Sequence, residues 1–148
     1  MSQTENAEPL DENFMVRTAY PDAYQELWQR KKLFKHQIHL FTAALAIGIL
    51  YNAQSQKKPH HDIVRIGTLS EEHKENKDVI NILSQIAYVG PDKRSRGAAI
   101  LSYADGGLEI LWKEYQAQGM LDLPRIVDEA KKKWPDRIVE LSHVFKGS

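Results

Sequence analysis

The stretch from Ile38 to Tyr51 reads Ile-His-Leu-Phe-Thr-Ala-Ala-Leu-Ala-Ile-Gly-Ile-Leu-Tyr, and no other segment of the chain is so apolar. Placed on a helix it is apolar on nearly all sides. One stripe carries Phe34, Ile38, Phe41, Leu45 and Gly48 or Ile49; a second carries Leu33, Leu40, Ala44, Ile47 and Tyr51. The third carries His36, His39, Ala43, Ala46 and Leu50. A helix that is apolar on nearly all sides must be enclosed by others. A membrane span needs about 20 apolar residues. This run is shorter, and Lys35, His36, Gln37 and His39 crowd its start. It is therefore expected to be a buried central helix over Leu33–Asn52. Gly48 costs up to about 1 kcal/mol of helix propensity, which points to a packing role. The small third side lets a neighbouring backbone approach.

The remaining chain has to cover that helix. At 148 residues it has the length of one domain with a core of its own. The formal net charge is zero, which argues against a protein that coats nucleic acid by charge alone. There are no cysteines. That rules out disulfides, thiolate metal sites and cysteine nucleophiles, and it fits a reducing cytoplasm. The first residues are acidic and polar, so no signal peptide is expected. Residues 1–13 are expected to be a flexible acidic tail, and 14–148 a single helical domain.

Helix signals recur along the body. Pro21-Asp22 marks a start, and Tyr24, Leu27 and Trp28 share a face that ends in Arg30-Lys31-Lys32. After a polar loop from Asn52 to Asp62, Ile63–Ile66 forms a short extended piece. Thr68 with Glu71 has capping-box spacing, and Asp78 is an equally good start for the next helix. That helix carries Val79, Ile80, Leu83 and Ile86 and ends by Gly90-Pro91. The basic turn Lys93-Arg94-Ser95-Arg96 leads into the most regular pattern of all: Gly97, Leu101, Ala104, Leu108, Leu111 and Tyr115. Gly106-Gly107 lies inside it, so either the helix breaks there or a partner packs on bare backbone. Gly119 is the expected stop. Asp122 and Pro124 start a further helix, with Leu123, Ile126 or Val127, and Ala130 on its face. A stripe of Trp134, Ile138, Leu141 and Phe145 continues it. The fold expected is all-α: a compact orthogonal bundle of about five to six helices, with one short extended segment near 63–66.

Chemistry is sparse. His36 and His39 share a helix face, and with His60 and His61 of the next loop they are the only candidate ligand set for zinc or iron. The spacing matches no ligand signature, so neither a metal nor another cofactor is expected. Asp105 and Glu109 are spaced for acid–base work or cation binding. Glu109 can instead pair with Lys113, and both carboxylates fall on the expected solvated side, together with Trp112. Lys93, Arg94 and Arg96 stand before a helix N-terminus, where anions are attracted, and Lys57 and Lys58 can join the same phosphate-binding patch.

Two stretches carry a resemblance. Phe41-Thr42-Ala43-Ala44-Leu45-Ala46-Ile47-Gly48 is followed by Asn52 and a lysine-containing loop. Ser102-Tyr103-Ala104-Asp105-Gly106-Gly107-Leu108-Glu109-Ile110-Leu111 comes later, after a strand-like piece and a helix. In order and separation they resemble the DNA phosphorothioation-associated protein 4 family, small proteins of bacterial and archaeal DNA sulfur-modification defence cassettes. The resemblance spans about residues 33–117. It implies an accessory role in an antiviral, restriction-type system and supplies no catalytic residue. Its motif residues Gly48, Tyr103, Gly106, Gly107 and Leu108 are of the kind that packs helices. The function expected is thus a cytoplasmic, non-enzymatic accessory subunit. It acts through other subunits of such a system, with Trp112, Glu109, Asp105 and Trp28 as partner contacts. A small nucleic-acid-binding regulator using the basic turn is the alternative.

Overall fold

The backbones of two helices touch at the centre of the molecule. In the computed structural model, which describes residue 10 and residues 12–69, 73–87 and 93–133, these are α2 (Gln37–Leu50) and α4 (Lys93–Gln118). Nine of the fourteen residues of α2 are buried, on every side of the helix. α4 runs 26 residues without a break, about 39 Å at the usual rise. Gly106 and Gly107 therefore do not end it. A Cβ on Gly107 would fall 2.6 Å from Gly48 N and closer still to Ala44 O. A Cβ on Gly48 would strike Tyr103 O. Gly106 lies against the backbone of Ala53 and Gln54, just past α2. The unfavourable propensity of three glycines is offset by this approach, because side chains at these positions would hold the helices apart.

Other elements close around the pair. β1 (Met15–Thr18) and β2 (His61–Arg65) form an antiparallel two-stranded sheet. Val16 pairs with Val64 and Thr18 with His61, and the register is irregular between Val16 and Arg17. The fold is thus mainly helical but not all-α. The extended piece expected near 63–66 is longer and has a partner. Met-Val-Arg-Thr is too short to announce itself, yet it alternates, with Val16 and Thr18 buried and Arg17 exposed. Helix α1 (Pro21–Tyr24) has proline in its first turn and continues as a π-helical segment, Gln25–Arg30.

α3 (Lys74–Ala87) begins one turn before Asp78, and Ile80 and Leu83 face the core. Asn76 Nδ2 donates to Thr42 Oγ1 of α2 at 3.3 Å. α4 ends at Gly119, whose φ is +73, as glycine at a helix end commonly does. α5 (Leu123–Lys133) buries Ile126 and Ala130. The Tyr51 hydroxyl donates to Ile126 O at 2.6 Å and ties α5 to the end of α2. The stripe from Trp134 to Phe145 lies outside the described residues.

Two expectations shift. α2 begins at Gln37 rather than Leu33, because His36 is extended and serves as its N-cap residue. The acidic tail is fastened before residue 13: Leu10 is buried, its N–H donates to Asn81 Oδ1 at 2.8 Å, and Glu12 O accepts from Gly67 N at 2.8 Å. Among the described residues no helix is long and apolar enough to cross a membrane.

Two glycines give a direct check on the packing. Gly107→Ala places a methyl group into backbone and is expected to cost about 3 kcal/mol or more. Gly119→Ala meets nothing within 4 Å and carries only the left-handed backbone penalty, about 1 kcal/mol. Urea denaturation of both variants compares them. Equal stabilities would show that the α2–α4 contact is looser than described.

Candidate functional site

Among the described residues, a cluster of buried polar side chains lies on α4, under the end of β1. Ser102, Asp105 and Glu109 recur three and four residues apart and so share one side of the helix. Asp105 is 1% exposed. Thr18 Oγ1 donates to its Oδ1 at 2.6 Å, and the Ala19 N–H donates to its Oδ2 at 2.9 Å. Thr18 Oγ1 in turn accepts from Tyr20 N at 3.0 Å. Asp105 is therefore not on a solvated face. The glycines beside it bring α4 so close to its neighbours that the adjoining carboxylate is carried inward, and β1 closes over it.

Glu109 stays exposed at the rim but does not pair with Lys113. It accepts hydrogen bonds from the Tyr20 hydroxyl and from Ser55 Oγ, the latter at 2.7 Å. Ser55 belongs to the loop after α2. Its N–H donates to Ser102 O at 3.0 Å, Ser102 Oγ donates to Ser55 O at 3.2 Å, and Lys57 N donates to Ser55 Oγ at 3.0 Å. The Tyr103 hydroxyl donates to Asn52 Oδ1 at 3.1 Å. Side chains of α4 thus hold the loop after α2 on one side and the end of β1 on the other.

The electrostatics follow from burial. Desolvation pushes the Asp105 carboxyl above its ordinary value; the Thr18 and Ala19 hydrogen bonds and nearby His60 act in the opposite direction. Tyr20 is raised by burial and by its bond to Glu109. Tyr24 is raised well above its usual value, chiefly by burial and then by the Asp105 charge. Its hydroxyl is buried without a hydrogen-bond partner. Because both oxygens of Asp105 are engaged by the chain itself, the arrangement works as a latch more readily than as an acid–base pair.

The other sequence candidates are dispersed. Arg96 is not part of an exposed basic turn: it lies in the first turns of α4 and is 7% exposed. The reason is helical register, since Arg96, Ile100, Tyr103 and Gly107 recur on one side. The backbones of Lys93 and Arg94 open α4, and their side chains lie outside the described residues. Lys57 and Lys58 are exposed in the loop. Trp112 is half-buried, stacked on Tyr115 at 5.8 Å. Trp28 is half-buried, and its indole N–H donates to Lys35 O at 3.3 Å.

The expected histidine set is divided. His36 and His39 meet His73, with ring centroids 4.6 Å apart for His36–His73 and 5.6 Å for His39–His73. His60 and His61 belong with β2 and contribute nothing to that cluster. Among the described residues no group of three histidine or carboxylate side chains is arranged to hold a metal ion. Thr18, Tyr20, Ser55 and His73 escape sequence reading because nothing in their spacing links them to α2 or α4. No family model, curated protein or solved structure matches the chain.

The latch has a pH signature. Because burial lifts the Asp105 carboxyl, the folded chain holds that proton more tightly than the unfolded chain does. Its stabilising contribution is full in acid and is lost as the pH rises through the raised value. The stability of the protein relative to its Asp105→Asn variant is therefore expected to fall from about pH 4 toward neutrality. Urea denaturation at a series of pH values measures this; a difference that stays flat or grows contradicts the assignment.

Proposed function

We propose that the protein is a non-enzymatic accessory subunit of a DNA-modification defence system, working in the cytoplasm through contacts with other subunits. The observation that carries this reading is the use to which the motif residues are put. Gly48, Gly106 and Gly107 serve the close approach of α2 and α4. Tyr103 bonds Asn52, and Leu108 is fully buried. These residues build a rigid frame and leave no reactive group standing in a cleft. The resemblance to the DNA phosphorothioation-associated protein 4 family supplies the system, and the frame supplies the role.

Within this reading Trp112, Trp28 and Glu109 are the contact candidates. Asp105 is withdrawn from any such surface by its burial. The alternative, a regulator gripping nucleic acid through residues 93–96, loses support because Arg96 is turned inward.

Co-expression with the other products of a DNA phosphorothioation cassette tests the proposal. The expected result is co-elution with at least one of them in size-exclusion chromatography, and loss of phage restriction when this chain is deleted from the cassette. Separate elution together with undiminished restriction counts decisively against it.

A further inference from the structure

The junction between α1 and α2 breaks a local rule. Lys31 N–H donates to Glu26 O at 2.9 Å and Leu33 N–H donates to Leu27 O at 3.0 Å, so the π-helical segment ends in a six-residue closure. Lys32 sits inside that closure with φ at +54. Such a position ordinarily goes to glycine, because a Cβ there crowds the following carbonyl. A lysine kept where glycine is more stable points to a use for its side chain beyond the fold.

A cavity of about 430 Å³ opens beside it, lined by Trp28, Gln29, Lys32, Phe34 and Lys35. That volume falls within the usual range of small-ligand sites, about 300–1,000 Å³. Two aromatic residues and two lysines share the lining, and among the described residues no carboxylate does. The nearest acid in sequence, Glu26, is engaged by Arg30 at 3.2 Å and by the Tyr115 hydroxyl at 3.1 Å. Lys31, next in the chain, is exposed and adds to the positive field. The Trp28 bond to Lys35 O holds the indole across the turn. Phe34 packs against the core.

We propose that this cavity binds a nucleobase carrying a phosphate, with the base against Trp28 and Phe34 and the phosphate on Lys32 and Lys35. Aromatic faces stack on any base, while cations neutralise the backbone. An acidic peptide answers the lysines and leaves the aromatic pair unmatched. The proposal concerns a surface apart from residues 93–96 and does not depend on the defence role.

Titration of the full chain with a fluorescein-labelled thymidine oligonucleotide at low salt, read by anisotropy and tryptophan quenching, tests it. Binding is expected, with log K falling against log salt by about 0.7 for each phosphate neutralised. Lys32→Gly separates the readings: it is expected to raise the thermal midpoint yet weaken binding about tenfold and flatten the salt slope. Trp28→Leu is expected to weaken binding about tenfold through lost stacking. Thymidine monophosphate and polyglutamate are the comparison ligands. Tighter binding of the oligonucleotide assigns a single strand, and equal affinity for the monophosphate assigns a free nucleotide; both support the site. The proposal is overturned by absence of binding, by Lys32→Gly binding as tightly as the parent, or by polyglutamate binding as well as the oligonucleotide.

Discussion

Everything in this fold hangs on a place where two backbones meet without side chains between them. Helices in contact ordinarily sit about 8–10 Å apart, with the distance set by what projects between them. At Gly48 and Gly107 nothing projects, so α4 settles against α2 until peptide groups touch. The apolar surface of α2 is thereby covered by one long helix on one side, and α3 and α5 complete the enclosure.

That depth has an electrostatic result. Asp105 directly precedes the glycine pair, so a helix drawn inward there takes a carboxylate with it. An isolated buried charge is costly unless it is bonded. Here the end of β1 supplies the bonds through Thr18 and the Ala19 N–H. The small sheet is positioned by the same contact, since Thr18 is both the last residue of β1 and the donor to Asp105. Glycine packing, carboxylate burial and strand placement form one chain of cause.

Much of the helical frame is legible in the sequence. The enclosed character of α2 follows from apolar residues on nearly all its sides, and the alternative to a break at Gly106-Gly107 is a partner on bare backbone, which α2 and the residues just past it provide. The stop at Gly119 and the buried face at Ile126 and Ala130 follow local rules. The sheet is less legible, because β1 has four residues and a partner more than forty residues away. The latch is least legible. Asp105 and Glu109 have the spacing of a solvated pair, and only the depth of α4, a tertiary quantity, separates the buried one from the exposed one. Arg96 illustrates the same limit: a basic residue beside two others reads as a surface turn until the helix is known to have begun at Lys93. The histidines divide because His73 reaches His36 and His39 through folding alone.

The tether between α5 and the frame has a consequence for the order in which the molecule loosens. Among the described residues, α5 rests on Ile126 and Ala130, on the bond from the Tyr51 hydroxyl, and on the ion pair that Arg125 makes with Glu114 of α4. Exposed ion pairs add little. α2 and α4, by contrast, separate only when the whole core is opened. The amides of α5 thus belong to a unit of low local stability, and they exchange with solvent while those around Gly48 and Gly107 remain protected to the limit of global unfolding.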